Sequence, residues 1–471
     1  MSNPNIDTAT TTVSKDFSSL GLEPALLDNL QTMGYSQMTD IQAGSLPAIL
    51  AGRDVVGKAK TGSGKTAAFA LGLLHNLKVK RFRVQALVMC PTRELAEQVA
   101  EEIRRLGRGI HNIKVLTLCG GTPTGPQIGS LEHGAHIIVG TPGRIMDHLY
   151  KRRLDLSEVN TLVLDEADRM LDMGFEDEMR VVIKNVPTER QTLLFSATFP
   201  ESIAEISAQV QTEPLEVSVE ATHDTVSIEQ VFFEVSEQHR IKAVAALLSH
   251  YQPESAIVFC NTKIACQEVA DELRELGVSA LALHGDLEQR ERTQVLTRFA
   301  NKSASVLIAT DVASRGLDVK EVNAVISYQI TPDPEVHIHR IGRTGRADAK
   351  GLALTLVAPN EIARANAIED YQKAKIKWTG IQAIRFHENR LIQPVFTTLC
   401  IDGGKKNKLR PGDILGALTK EAEIPGEDVG KINVTAMHSY VAIKARSVKR
   451  AMKQLGEGKI KGRKFKVRKF S

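Results

Sequence analysis

Ala59-Lys60-Thr61-Gly62-Ser63-Gly64-Lys65-Thr66 is the stretch on which the reading of the fold turns. It follows a short β-rich run and opens a helix-length apolar one. Consecutive backbone N–H groups in such a loop, with a helix N-terminus behind them, cradle phosphate oxygens. Thr61, Gly62, Ser63 and Gly64 supply the cradle. Lys65 can reach the β- and γ-phosphates, and the Thr66 hydroxyl can bind Mg2+. The strict pattern has glycine at its first position, where this chain has Ala59. A glycine-rich turn with an incidental lysine is the bland alternative, and the strand–loop–helix setting weighs against it.

Downstream, the apolar run Leu162-Val163-Leu164 ends in Asp165-Glu166-Ala167-Asp168. An Asp at the carboxyl end of a parallel strand faces the phosphate side of its sheet. Asp165 can hold Mg2+ through water, and Glu166 is placed to orient and deprotonate an attacking water. Alone, these four residues read as a solvated helix start. Paired with the phosphate loop, they read as catalytic.

Outward from these two stretches the chain alternates short apolar runs with helix-length segments. The runs include 86–90, 137–140, 161–165 and 191–195, and the rhythm restarts with 256–260, 306–309, 324–328 and 352–357. Continuous apolar strands separated by helices predict parallel sheets covered on both faces. The expected architecture is α/β: two tandem parallel-sheet domains, at 16–215 and 225–376, after a disordered tail at 1–15. A helix over 360–375 closes the second block. A polar, acidic join is expected near 211–225 and a linker at 377–394. The last region, 395–471, reads as strand 397–402, helix 411–422, strands 431–435 and 440–444, helix 447–456 and strand 465–470. That βαββαβ order is a small α+β domain with helices on one side of a sheet.

Composition narrows the classes. The 471 residues are 42 % apolar and 4 % aromatic, with a net charge of +4. No apolar run reaches bilayer length, and the polar start carries no secretory signal, so a cytoplasmic protein with no membrane partner is expected. Cys90, Cys119, Cys260, Cys266 and Cys400 lack CxxC spacing and read as reduced, buried thiols. From Phe396 onward there are 18 Lys and Arg against 7 Asp and Glu, a net of +11, which leaves the preceding chain at −7. A basic end on an acidic body is what an appended nucleic-acid-binding module produces.

Over most of residues 17–351 the chain resembles the DEAD-box RNA helicases. The resemblance is carried by Gly34-Tyr35 through Thr39 and Gln42, the 59–66 loop, Pro91-Thr92-Arg93-Glu94-Leu95-Ala96 and Gly120-Gly121. It continues through Thr141-Pro142-Gly143-Arg144, Asp165 to Asp168, Ser196-Ala197-Thr198, Val258 to Thr262 and His284-Gly285-Asp286. It closes with Ala309 to Asp318 and His339 to Arg346. The resemblance implies that the two α/β domains are RecA-like and that ATP is bound with Mg2+. Gln42 can present a donor and an acceptor together to the adenine edge. The resemblance assigns Gln42 and Thr39 that part of the site, with Phe17 stacking on the ring. Met38 and Asp40 stand where the family has prolines, which alters the local loop. Arg343 and Arg346 are implied as arginine fingers reaching the γ-phosphoryl group, as such fingers stabilise its developing charge. Asp318 is implied at the ribose or the arginine set, and Ser196, Thr198 and His339 as residues coupling nucleotide state to domain closure. A metal reading of His337 and His339 lacks neighbouring ligands.

A protein that separates strands grips phosphates and sugars rather than bases. The resemblance marks Thr92, Arg93, Gly121, Thr141, Gly143, Arg144, Thr262, Lys263, Gly285 and Thr310 as that surface. Each taken singly is an ordinary turn. The βαββαβ region resembles an RNA-recognition motif, and Thr398 to Lys406, Arg410 to Thr419 and Gly458 to Gly462 resemble the DbpA branch of the family. In its first strand there is no ring, and His438 to Ala442 offers only Tyr440. Charge at Lys405, Lys406, Arg410, Lys459 and Lys461 is therefore expected to grip a folded RNA by its shape. The branch implies a hairpin of large-subunit ribosomal RNA and pre-ribosomal particles as partners, in assembly of the large subunit. The expectation is a monomeric, ATP-dependent RNA helicase that opens short duplexes locally. An ATP-gated RNA clamp is the competing reading, and a phosphate-loop enzyme acting on a small molecule is disfavoured by the second α/β block and the basic end.

Overall fold

The computed structural model describes residues 15–59, 62–219, 228–314, 322–345, 350–391 and 393–470. Thr61, Asp318 and Arg346, and the expected tail apart from Lys15, lie outside the described residues. Lys15 itself is held: its ammonium pairs with Asp40 at 2.7 Å, and its carbonyl accepts from Met38 N at 2.7 Å.

Seven strands form the first sheet: β1 Val55–Lys58, β2 Ala86–Met89, β3 Val115–Leu118, β4 Ile137–Gly140, β5 Thr161–Asp165, β6 Gln191–Ser196 and β7 Leu215–Ser218. Their order is β3-β4-β2-β5-β6-β1-β7, and every pairing is parallel. The central strands are buried along their whole length because helices cover both faces, which is why they read as unbroken apolar runs. Leu26, Ile41, Phe69 and Val88 belong to the core on one side, and Leu87, Ile138, Leu162 and Met170 to the core on the other.

The second sheet comprises β8 Ile228–Glu234, β9 Ala256–Cys260, β10 Ala280–Leu283, β11 Val306–Thr310, β12 Ala324–Ser327, β13 Gly351–Val357 and β14 Lys377–Gly380. Its order, β10-β11-β9-β12-β13-β8-β14, repeats the first sheet strand for strand, again all parallel. The linker expected at 377–394 is corrected here: it begins with β14, pairs with β8, and sends Ile381, Ile384 and Leu391 onto the second core. Trp378 packs edge-on against Phe232. The helix expected at 360–375 is a 3-10 turn at Pro359–Glu361 followed by an α-helix at Ile362–Gln372.

Strands β15 Phe396–Ile401, β16 Val429–Val434, β17 Ser439–Lys444 and β18 Val467–Lys469 make a third, antiparallel sheet in the order β16-β17-β15-β18. The helix expected at 411–422 is an α-helix at Pro411–Gly416 continued by a π-helical stretch at Ala417–Glu421. With the helix Val448–Glu457 it covers one face through Ile414, Leu418, Ala451 and Leu455.

The chain divides into two compact units, one holding the first sheet and the other the second and third. Within the latter, β15 touches the segment before β11: Asn301 Nδ2 donates to Thr398 Oγ1 at 3.2 Å, and Phe396 N donates to Lys302 O at 3.4 Å. All five cysteines are free and buried. Among the described residues no helix is long and apolar enough to cross a membrane, and no cluster of three or more His, Cys, Asp or Glu could hold a metal.

Candidate functional site

Most of the expected site residues of both seven-stranded sheets lie at or just beyond the carboxyl ends of parallel strands, where open α/β sheets bind ligands; Arg343 does not, its carbonyl accepting from Val322 N just before the start of β12. In the first sheet they separate by strand. The loops after β1, β5 and β6 carry the expected phosphate, acid and coupling residues. The loops after β2, β3 and β4, on the other half of the sheet, carry the expected RNA residues.

The phosphate loop is built on two left-handed glycines, Gly62 at φ 87° and Gly64 at φ 96°. Gly64 caps the helix Lys65–His75. A side chain there would lie 2.6 Å from Gln42 Nε2 and 2.9 Å from Thr39 Oγ1, so glycine is required on two counts. Gln42 is buried and ties its helix to the loop. Its Nε2 donates to Gly64 O at 3.1 Å and its Oε1 accepts from Thr39 N at 2.9 Å. Lys65 is buried, with Nζ donating to Ala59 O at 2.7 Å, and Thr66 opens the helix partly exposed. Ser63 Oγ is buried and has no protein partner. Two left-handed glycines flanking Ser63, an orphan hydroxyl, a buried ammonium and a helix N-terminus fit a nucleotide phosphate chain with its counter-cation. Phe17 is 4 % exposed, packed edge-on to Tyr35, which gives it a core-packing role in this structure.

The acids follow β5. Burial is the chief cause pushing the Asp165 carboxyl up to about 7; the Lys65 charge opposes it and Glu166 adds to it. Such a group favours an arriving cation as its partner. Glu166 sits at φ 54° and accepts from Arg169 Nη1 at 3.1 Å, both side chains buried. Burial alone would raise Asp168. The hydrogen bonds from Thr198 and Ser196 outweigh it and hold that carboxyl below its ordinary value. Thr198 donates to Asp168 Oδ2 from Oγ1 at 2.7 Å and from N at 3.0 Å. Ser196, the last residue of β6, accepts from Ala59 N through its carbonyl at 3.1 Å. The acids, the coupling residues and the start of the phosphate loop are thus one hydrogen-bonded set.

On the other half of the sheet, Thr92 caps the helix Arg93–Leu106, with Oγ1 accepting from Leu95 N at 3.3 Å. The Arg93 guanidinium lies against Gly121, where φ is 67° and any side chain would collide with it. Thr141 precedes the helix Pro142–Tyr150, whose first turn carries Gly143, open to solvent on its Cα side, and Arg144. Arg144 Nη1 donates to Gln127 Oε1 at 3.0 Å. The structure brings Arg93, Gly121 and Arg144 onto adjoining loops.

The second sheet repeats the pattern on the matching strands. Thr262, after β9, caps the helix Lys263–Glu275. Lys263 pairs with Asp286 at 2.8 Å, next to Gly285 in the loop after β10. Thr310 ends β11, and its Oγ1 accepts from Ala313 N at 3.3 Å. His339 lies in the helix Pro334–Ile341, and Arg343 just beyond it, both half-buried. His337 is buried against Phe232 with Nε2 near Gln230, a packing role, and burial pushes its imidazole down to about 4. Sequence reasoning assigned no role to Arg340, which is buried and holds Asp311 with two bonds of 2.7 Å, Asn261 at 2.7 Å and the Gln329 carbonyl at 2.8 Å. It joins the ends of β9, β11 and β12. Arg169 and Gln127 were missed likewise; the only signal for Arg340, Asp311 and Asn261 was their place inside or beside the quoted motifs.

In the third sheet, Lys405, Lys406, Arg410, Lys459 and Lys461 are all exposed. Two basic runs distant in sequence meet: Lys461 Nζ donates to Lys408 O at 3.1 Å, and Lys405 N donates to Thr435 O at 2.8 Å across to the β16–β17 turn. The face of the sheet turned away from its helices carries a small buried cluster of Cys400, Tyr440 and Phe470, with the two ring centroids 4.8 Å apart, and on that face Thr398 bonds Asn301 and Ser303. It offers no row of open rings, in keeping with a grip by charge.

The DEAD/DEAH box helicase family matches residues 39–206, the helicase conserved C-terminal domain matches residues 239–348, and the DbpA RNA binding domain matches residues 398–469. The chain is 55 % identical over 453 residues to the ATP-dependent RNA helicase DbpA of Escherichia coli (strain K12), covering 96 % of this chain and 99 % of that one. It is 45 % identical to the DEAD-box ATP-dependent RNA helicase CshA of Geobacillus kaustophilus (strain HTA426), over 77 % of each chain. Among solved structures, S. cerevisiae Dbp5 bound to RNA and ADP BeF3 superposes with a TM-score of 0.71 at 30 % identity, covering 78 % of this chain and 96 % of that one.

Proposed function

Because the chain belongs to the DbpA branch of the DEAD-box ATP-dependent RNA helicases, we propose that it hydrolyses ATP to open short RNA duplexes on a large-subunit ribosomal RNA hairpin, during assembly of that subunit. The observation that carries the mechanism is the hydrogen-bonded set at the ends of β1, β5 and β6. Ala59, Ser196, Asp168 and Thr198 are joined there beside Lys65 and Glu166.

In this reading the loop amides, Ser63 and Lys65 bind the phosphates of ATP. Gln42 and Thr39 read the adenine edge, with Phe17 alongside. Thr66 and Asp165 would hold magnesium, which supplies neutralisation of phosphate charge. Glu166 orients the attacking water and takes its proton. Arg343 and Arg346 stabilise the charge that develops on the transferred phosphoryl group, with Asp318 beside them. Ser196 and Thr198, bonded to Asp168, carry the state of the acid site toward the RNA loops, and His339 answers from the second domain. Thr92, Arg93, Gly121, Thr141, Gly143, Arg144, Thr262, Lys263, Gly285 and Thr310 hold the RNA backbone. The basic end of the third sheet selects the RNA, and the protein works as a cytoplasmic monomer on pre-ribosomal particles.

The test is ATP hydrolysis at fixed salt with no RNA, poly(A), or a large-subunit ribosomal RNA fragment. A full-length variant with Lys405, Lys406, Arg410, Lys459 and Lys461 changed to glutamate is compared with the unaltered chain. Substitution is preferable to truncation, since removing β15 would uncover Asn301 and Ser303. Strong stimulation by the ribosomal fragment alone, lost in the variant, is expected. Equal stimulation by both RNAs in both proteins would contradict the targeting.

A further inference from the structure

Gln127 stands outside every motif quoted above, in the helix Thr124–Glu132, yet its amide is buried and fully used. Nε2 donates to Cys119 O at 3.0 Å and to Thr122 Oγ1 at 2.8 Å. Oε1 accepts from Arg144 Nη1 at 3.0 Å and from His148 Nε2 at 3.0 Å. An amide has two donors and two acceptor sites, and all four are spent here. Because Oε1 can only accept, His148 must carry its proton on Nε2. Its ring is completely buried, and burial first, then the Arg144 charge, lowers its pKa from the ordinary value, which favours the neutral ring.

These bonds connect two different strand-end loops. Cys119 and Thr122 flank the Gly120-Gly121 turn after β3. Arg144 and His148 lie on the helix after β4. Arg144 Nη1 also reaches Thr122 O at 3.3 Å, and Arg93 lies against Gly121 from the other side. The turn that carries Gly121 is therefore held by the loop after β2 and by Gln127 at once. We infer that Gln127 is a positioning residue of the RNA surface: it sets the direction of the Arg144 guanidinium and its spacing from Gly121, so that two phosphates of one strand are met together. The inference rests on the reading that Arg144 meets RNA. A preset guanidinium loses less freedom on binding than a mobile one, so the effect falls on RNA affinity and not on ATP chemistry.

The experiment measures, in the full chain, the concentration of a single-stranded RNA that half-saturates ATP hydrolysis, with the saturated rate and the KM for ATP. The variants are Gln127→Leu, Gln127→Glu, Arg144→Ala and the Leu–Ala double variant. Gln127→Leu is expected to raise the half-saturating RNA concentration about tenfold, the size of one lost charge-assisted hydrogen bond. The saturated rate and KM for ATP should stay within about twofold, and the same change should add less than about twofold on top of Arg144→Ala. Gln127→Glu keeps the acceptor for Arg144 and His148 but loses both donors to the Gly121 turn, so it should raise the half-saturating RNA concentration about threefold, through the spacing alone. If the leucine variant does not fold, the glutamate variant decides: an RNA dependence unchanged from the unaltered chain overturns the inference. A full tenfold effect of Gln127→Leu in the absence of Arg144, or no effect in its presence while Arg144→Ala weakens RNA, overturns the inference alone. An Arg144→Ala variant with unchanged RNA dependence overturns the reading beneath it as well.

Discussion

In the first sheet β1 runs into a glycine loop whose Ser63 hydroxyl has no protein partner, and β5 ends in an Asp165 carboxyl raised by burial. In the second sheet the corresponding strands are β8 and β12; β12 ends in Ser327, whose buried hydroxyl likewise has no protein partner, but a buried ion cluster follows it. Arg240, fully buried at the start of the helix Arg240–Tyr251, binds Glu361, Glu237 and the carbonyl of Tyr328, just past the end of β12. The two sheets share strand order and parallel pairing throughout, so backbone topology does not distinguish the sheet expected to cradle the phosphates from the other. An orphan hydroxyl does not either, since Ser63 and Ser327 are alike in that; the left-handed Gly62 and Gly64 and the raised Asp165 carboxyl are what mark the first sheet. The loops proposed to meet RNA show the opposite relation. Thr92, Gly121 and Thr141 follow β2, β3 and β4, and Thr262, Gly285 and Thr310 follow or end β9, β10 and β11, so that half of the pattern is kept in both.

Substitutions at matched places should break the likeness in different ways. Glu166→Gln, on the first sheet, should lower the RNA-stimulated turnover of ATP by about 10³-fold, within the range for losing a general base, with ATP binding retained. Steady-state hydrolysis and equilibrium nucleotide binding check it. Arg240→Gln, on the second, should leave the affinity for ATP unchanged and cost stability instead. Removing one partner leaves Glu361 buried and uncompensated, a loss of about 3–5 kcal/mol, to be read by denaturant unfolding.

Asp165→Asn should do the reverse in both respects, abolishing hydrolysis while stabilising the nucleotide-free chain. Its carboxyl is raised from 3.8 to about 7, so ionisation opposes folding progressively between those values and fully above about 7. At pH 8 the variant should therefore melt higher, by roughly 1–3 kcal/mol of unfolding free energy. The gain should shrink as pH falls toward 5, where the native group is protonated. Equal melting of both proteins at pH 8 would mean that the site is already relieved without a ligand.

Most central strands of both sheets were legible because burial on two faces leaves an unbroken apolar run. Strands β3, β7, β8, β10 and β14 were not among the runs read; β8 is an interior strand buried only toward its end, and the other four are the edges of the two sheets. An edge strand is partly solvated and needs less apolar sequence; β7 alternates half-buried with exposed residues, and Lys377–Gly380 is mostly exposed. Hence a strand was taken for a linker. The phosphate loop, the acids and Ser196 to Thr198 were legible because their chemistry is local in sequence. Gln127, Arg169, Arg340 and Phe470 were not. Each acts through a partner brought by the fold, as Gln127 reaches Cys119 after β3 and Arg144 and His148 on the helix after β4.

The account's central claim is that ATP on the first sheet governs the RNA loops of both sheets. The direct measurement is the affinity of the full chain for a single-stranded RNA at fixed salt, with and without a non-hydrolysable ATP analogue, in the unaltered protein and in Lys65→Ala. Linkage requires RNA to tighten analogue binding by the factor with which the analogue tightens RNA binding. The account predicts a gain of about tenfold or more in the unaltered protein and none in Lys65→Ala. An RNA affinity that is the same with and without the analogue would contradict it.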